Sequence, residues 1–369
     1  MNNKIRHIKK EGGKMNLYPF NFKPIYKEKI WGGNSLHEFF NRNLPNNSIG
    51  ESWEVAAHPH GTSIIQEGIY QGKTLTELIE KKPEEMLGTK FDYDKDKRFP
   101  LLVKILDANA KLSVQVHPSD YYAKDVENDP GKTEMWYILD AKPGAKLVYG
   151  LKPGTSKEEF SKAIKNDEIK NYLNEVEVER GDVYFIPAGT IHAIEEGILL
   201  AEIQQNSDTT YRVYDWDRVG KDGSPRELHI EKALDVINFN FDIKKARSKP
   251  LTLEGANHKR SFLAACPFFI SEKIELNGIY NLRPDGQSFY ILMNSKGIAT
   301  IKANNKAFRL GPGQTYFIPA ALDDVIIDGE VEFLLSYLPK SKENTIKNLK
   351  HLNFSEEEIN NLPGISNWN

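Results

Sequence analysis

The apolar positions of this chain fall in short runs, with helical periodicity confined to a few places. Runs rich in Val, Ile, Tyr and Phe occur at Ser63–Glu67, Leu101–Asp107, Leu112–His117, Glu134–Leu139, Lys146–Tyr149, Val183–Ile186, Ile198–Gln204 and Thr210–Tyr214, broken by Gly, Pro and Asp. Branched and aromatic residues in brief runs between turn formers are the pattern of strands in a sandwich or barrel. Helical spacing appears at Leu75–Lys82, continuing to Leu87, at Lys157–Asn174 with Phe160, Ile164 and Tyr172, and at Arg226–Ile237 after Pro225. The predicted class is therefore mainly β with short helical insertions, near residues 75–90 and 157–174.

The polar stretch Lys244–Pro250 predicts a boundary between a unit covering residues 15–243 and a second β-rich unit covering 251–338. Residues 339–369 form a polar tail with one expected helix, Ser355–Asn361. The two units share a repeat: Gly181 to Ala188 matches Gly313 to Ala320 at an offset of 132 residues, and Trp136-Tyr-Ile-Leu139 matches Phe289-Tyr-Ile-Leu292 at 153. A duplicated β unit with an insertion in its first copy explains both offsets. Residues 1–14 are basic with no apolar stretch behind them. Lys10-Glu-Gly-Gly13 reverse-translates to a ribosome-binding site just upstream of Met15, so this extension is expected to be non-native or disordered.

With 49 Lys and Arg against 52 Asp and Glu, the net charge of −3 gives no field that would draw nucleic acid or an anionic membrane. No apolar run reaches the length of a membrane span, and the longest, around Phe262–Ile270, contains Pro267. The single cysteine, Cys266, excludes a disulfide framework within the chain and any thiolate zinc knuckle. A cytoplasmic protein is expected, and a metal site would have to use His, carboxylate or amide ligands.

Such ligands are present in pattern. Gln115-Val-His117 puts an amide and an imidazole on one face of a strand, since side chains alternate with a period of two. Lys132 and Glu134 share a face in the same way, and Gly181-x5-Pro187-x-Gly189-x2-His192 delivers a second imidazole after a tight turn. One carboxylate, two imidazoles and an amide converging inside a barrel suit Zn²⁺, without excluding Mn²⁺, Fe²⁺ or Co²⁺. In the repeat, Asp324 stands opposite His192 and Gln287 opposite Glu134, so the second unit is expected to be a degenerate copy without a metal site.

The Gly-x5-Pro-x-Gly-x2-His spacing resembles a motif of the cupin superfamily. Five longer strings resemble type I mannose-6-phosphate isomerases: Lys27 to Gly33, Gly50 to Glu54, Leu112 to Pro118, Gly131 to Tyr137, and Glu202 to Trp216. The resemblance spans Tyr18 to Leu338 and implies two cupin (jelly-roll) barrels. It further implies one zinc held by Gln115, His117, Glu134 and His192, and interconversion of mannose 6-phosphate with fructose 6-phosphate through a cis-enediolate. Glu202-x9-Arg212 matches the segment carrying that family's proposed catalytic Glu and Arg. Glu202 is the first candidate for moving the proton, Lys132 the second, and Arg212 would stabilise the enediolate. Lys104, Lys132 and Arg212 are candidate phosphate partners with Ser113 donating a hydrogen bond, and Trp31 and Trp53 are candidate pocket walls. Two rival classes remain at this level, an Fe²⁺ cupin oxygenase and a non-catalytic sugar-binding cupin. The expected partner is a small sugar phosphate, with the chain a monomer or a homodimer.

Overall fold

The computed structural model describes residues 15–220, 223–242 and 250–368. The extension 1–14 lies outside these residues, as does all of the boundary Lys244–Pro250 except Pro250. The fold is mainly β and built from three main antiparallel sheets. A six-stranded sheet runs in the order Val183–Ile186, Glu134–Ala141, Ile198–Gln205, Leu101–Ala108, Ile49–Val55, Ile25–Gly33. It faces a five-stranded sheet in the order Leu173–Glu177, Lys146–Leu151, His192–Ile194, Val114–Val116, Tyr211–Tyr214. The remaining nine-stranded sheet holds Leu251–Tyr337 and also takes in Phe20–Lys23 and Ile64–Ile65.

The six-stranded sheet is buried on both faces, which is why its strands read as near-continuous apolar runs. Met135, Tyr137 and Leu139, with Leu101, Val103, Ile105, Ala201 and Ile203, pack in one core with Phe289, Ile291, Phe317 and Leu335 of the nine-stranded sheet. Alternate residues of the same strands, Trp136, Ile138, Leu106 and Leu200, point the other way and pack with Leu147, Tyr149 and Ile194 of the five-stranded sheet. Full burial of each such side chain is worth roughly 1.5–3 kcal/mol, so this shared layer outweighs any surface ion pair at roughly 0–1 kcal/mol. The chain also stitches the units together, because Phe20 pairs with Phe317 in one sheet and Ile25 with Trp53 in another. Where Trp31-Gly32-Gly33 meets the next strand the approach is tight: a Cβ on Gly50 would lie 2.6 Å from the Trp31 ring.

Element boundaries depart from the sequence reading where capping and tertiary contacts intervene. The insertion read as one helix over Lys157–Asn174 is an α-helix only over Lys157–Lys165, started by a Ser156–Glu159 capping box. It stops where Asp167 takes a left-handed φ of 57°, and a 3₁₀ turn and the strand Leu173–Glu177 follow. Helix Ile230–Val236 begins later than Arg226 because Arg226 is drawn out to pair with Asp215. The segment 75–87 is two helices, Leu75–Lys81 and Pro83–Leu87, divided by Lys82. The tail contains, besides Glu356–Asn361, a longer unpredicted helix, Lys342–His351, capped by Ser341.

The repeat is real at Val183–Ile186 and Thr315–Ile318, each paired with the strand equivalent to the other's partner. The ladders, however, pair Ile186 with Glu134 and Ile318 with Tyr290. The position matching Glu134 in the second unit is therefore Tyr290, not Gln287, a slip of three residues. Similar apolar strings led the sequence alignment to the wrong register, which only hydrogen bonding defines.

Candidate metal centre

The residues picked from the sequence for chemistry converge between the six- and five-stranded sheets. His192 begins one strand and is the ladder partner of Gln115, which in turn is opposite Arg212 on the next strand. His117 follows the Gln115 strand directly, and Glu134 opens its strand on the facing sheet. Glu134 Oε1 lies 3.5 Å from His192 Nε2, and Glu134 Oε2 lies 3.6 Å from His117 Nε2. All three side chains are buried, and their ligand atoms lie within 4.8 Å of one another.

These atoms lack partners that would otherwise explain their burial. His117 Nε2 and both carboxylate oxygens of Glu134 are fully buried without a hydrogen bond, an arrangement that costs several kcal/mol unless a cation compensates it. The imidazoles are held from behind: His117 Nδ1 faces the Thr209 carbonyl at 3.0 Å and His192 Nδ1 the Thr190 carbonyl at 2.9 Å. That pattern fixes the tautomer with Nε2 lone pairs turned to the centre, as metal-binding histidines require. Burial drives His192 down to about 4 and His117 well below its ordinary value, with Lys132 adding to the shift at His117. Burial also pushes the Glu134 carboxyl up to about 8, against the pull of Lys132. The histidines thus stay neutral, and Lys132, the cation beside Glu134, does not by itself offset the burial of that carboxylate. The donor set fits a divalent cation bound by nitrogen and oxygen.

Gln115 stands at the rim of this group and is half-buried. Its Nε2 is 3.3 Å from His192 Nε2, and its Oε1 accepts from Ser113 at 3.4 Å. Turning the amide over gives up the Nε2 contact to His192, leaves Nε2 facing the Ser113 hydroxyl, and would present Oε1 to the centre. Ser113 therefore touches Gln115. Lys132 Nζ is 3.3 Å from Glu134 Oε2.

On the neighbouring strands of the same face, Glu202 is the ladder partner of both Lys104 and Trp136. Its Oε1 lies 3.1 Å from Lys104 Nζ, and its Oε2 accepts from Trp136 Nε1 at 3.0 Å. Burial pulls the Glu202 carboxyl up, but Lys104, Lys132 and the Trp136 bond together bring it below its ordinary value. Lys104 is itself raised by Glu202 and Glu51 against burial, and its ammonium is directed to these carboxylates. Arg212 is half-buried on the Gln115 side; one terminal nitrogen donates to the Glu227 carbonyl at 2.8 Å while its buried Nε has no partner. The open side of the cluster thus lies toward Gln115 and Arg212.

Trp31 sits apart from the ligands, in the apolar core beside Leu106 and Leu112. Trp53 lies nearer: Lys104 Nζ is 5.6 Å from its ring centre, and His58 packs edge-on at 5.7 Å. Sequence reasoning missed Glu51, whose Oε2 accepts from Trp53 Nε1 at 2.7 Å and which forms the far side of the Lys104 charge network. Its i+2 spacing from Trp53 within Gly50-Glu-Ser-Trp53 was the available signal.

Comparison with known proteins agrees with this arrangement. Residues 20–146 match the catalytic domain of type I phosphomannose isomerase, and residues 258–338 match the mannose-6-phosphate isomerase cupin domain. Mannose-6-phosphate isomerase ManA of Bacillus subtilis is 38% identical over 325 residues, covering 88% of this chain and all of that protein. The mannose-6-phosphate isomerase of Streptococcus mutans is 38% identical over 311 residues, 84% of this chain and 95% of that one. The crystal structure of a Bacillus subtilis mannose 6-phosphate isomerase superposes with a TM-score of 0.80 at 37% identity, covering 86% of this chain and 99% of that one. With two cupin units, a buried His-Glu-His centre and identity of this extent over nearly whole relatives, the chain belongs to the type I mannose-6-phosphate isomerase family.

Proposed function

We propose that this enzyme interconverts mannose 6-phosphate and fructose 6-phosphate in the cytoplasm by proton transfer through a cis-enediolate, using one zinc ion per chain. The observation that carries the reading is the set of orphaned buried atoms on His117 and Glu134, turned to a common point with His192. Gln115, His117, Glu134 and His192 would hold the zinc, and only Glu134 among them brings a formal charge. When bound, the ion supplies Lewis acidity at the sugar's oxygens, where negative charge develops.

The chain's own groups do the rest. A proton must leave the carbon beside the carbonyl and return to its neighbour, so a base must move between two adjacent carbons. Glu202 is our choice: Lys104 and the Trp136 indole keep it ionised, and it lies on the same sheet face as Glu134. Lys132, beside Glu134, is the alternative. Arg212 lies on the open side, where a permanently charged guanidinium can pair with the enediolate or with phosphate. Ser113 is placed to orient Gln115, and Lys104 to hold Glu202 charged and in position. A coupled assay of mannose 6-phosphate conversion on chelated and zinc-restored enzyme tests the proposal. Turnover should vanish and return; oxygen uptake by iron-loaded protein in place of isomerisation would favour an oxygenase instead.

A further inference from the structure

The second barrel carries a cavity of about 470 Å³ at the place that corresponds to the metal centre of the first. Tyr290, which holds the ladder position of Glu134, lines it. Helix Lys342–His351 covers it with Asn344 and Asn348, and that helix follows residue 338, where the matched cupin domain ends. The volume lies within the usual range of small-molecule sites, roughly 300–1,000 Å³.

The wall is polar, yet its charges are already paired. Arg260 Nη2 lies 2.8 Å from Glu272 Oε1, deep in the cavity, and Lys340 pairs with Asp285 at 2.9 Å. Arg283 is 3.7 Å from Asp324. No lining Lys or Arg is therefore left for a phosphate among the described residues. What is left over is neutral. The hydroxyls of Tyr280 and Tyr290 have no hydrogen-bond partner among the described residues, and the Tyr290 ring packs 5.1 Å from that of Tyr337; Asn344 and Asn348 also line the cavity, and although Asn348 Nδ2 donates to Asn344 Oδ1 at 3.2 Å, the other end of each amide stays available. Aromatic faces beside planar amides and free hydroxyls match a ring or chain of hydroxyl groups with apolar C–H faces.

We infer that this cavity is a second, non-catalytic binding site for a neutral monosaccharide or polyol, built between the second barrel and the tail helix. The site is separate from the metal centre and does not depend on the isomerase reading. Calorimetric titration of the full chain with unphosphorylated mannose, fructose and mannitol tests it. At least one should bind saturably in the millimolar range, and chelator-treated or His192→Ala protein should bind it equally. Tyr290→Phe and Asn348→Ala should each weaken binding about tenfold, the loss expected for one hydrogen bond, with isomerase turnover unchanged. Absence of binding by all three ligands would overturn the inference. So would binding abolished by His192→Ala or chelation, or binding unaffected by both tail-side and Tyr290 substitutions.

Discussion

Lys104 and Glu202 are direct partners across two strands, with Lys104 Nζ 3.1 Å from Glu202 Oε1 and both side chains 4% exposed. A lysine chosen from the sequence for phosphate binding is thus turned to the carboxylate that we propose moves the proton. Glu202 is held below its ordinary pKa although burial opposes this, and Lys104 is the largest cause of the lowering. Replacing Lys104 with Met removes that cause, so the carboxyl should titrate at higher pH. The acid limb of kcat/KM should therefore move to higher pH. Glu202→Gln should keep its metal and lose roughly 10²–10⁴-fold in kcat. Near-full turnover by Glu202→Gln would transfer the role to Lys132.

Glu51 lies beyond Lys104 and provides a stability test. Burial raises its carboxyl, but Lys104, Lys29 and the Trp53 indole bring it down to about 2. A depressed native pKa stabilises the fold above the unfolded value and loses that stabilisation as pH falls toward the native one. Glu51→Gln should therefore be less stable than wild type by about 3 kcal/mol near neutral pH. The gap should narrow as pH falls from the ordinary carboxylate range to about 2. Urea titrations at several pH values measure it, and a gap that stays constant across that range would refute the assignment.

Phe317 sits in the core shared by the two units, fully buried against Phe22, Phe99 and Phe289. Phe317→Ala should cost about 3–5 kcal/mol. Because four of the five tryptophans, Trp31, Trp53, Trp136 and Trp216, lie in the first unit or its flanking turn, their fluorescence reports on the part not mutated. We expect fluorescence and circular dichroism to shift together in one urea transition. Separate transitions would show that the shared layer does not couple the units.

Much of this was legible from short spacings. Gln115-x-His117 and the Gly-x5-Pro-x-Gly-x2-His192 turn each carry their geometry within a few residues, because side-chain alternation along a strand is local. The strands through Leu101, Glu134 and Ile198 were legible for the same reason. Three things were not. The early strands at Phe20–Lys23 and Ile49–Val55 lack a distinctive run, and their pairing with Thr315–Ile318 and Leu101–Ala108 is set by distant sequence. The equivalence of Glu134 with Tyr290 depends on ladder register, which similar apolar strings cannot reveal. The orientation of Lys104 toward Glu202 depends on three neighbouring strands, so residue type alone pointed to phosphate. Trp31 was likewise singled out by type, whereas the close approach of Gly50 places it in the core.

The proposed reaction requires a metal held by His117, Glu134 and His192. The most direct test measures zinc per chain and isomerase rate on the same samples of wild type, His117→Ala and His192→Ala after exhaustive dialysis. Wild type should carry one zinc and turn over fully, and each variant should lose both. Turnover that persists in variants stripped of zinc, or zinc retained stoichiometrically without either histidine, would contradict that requirement.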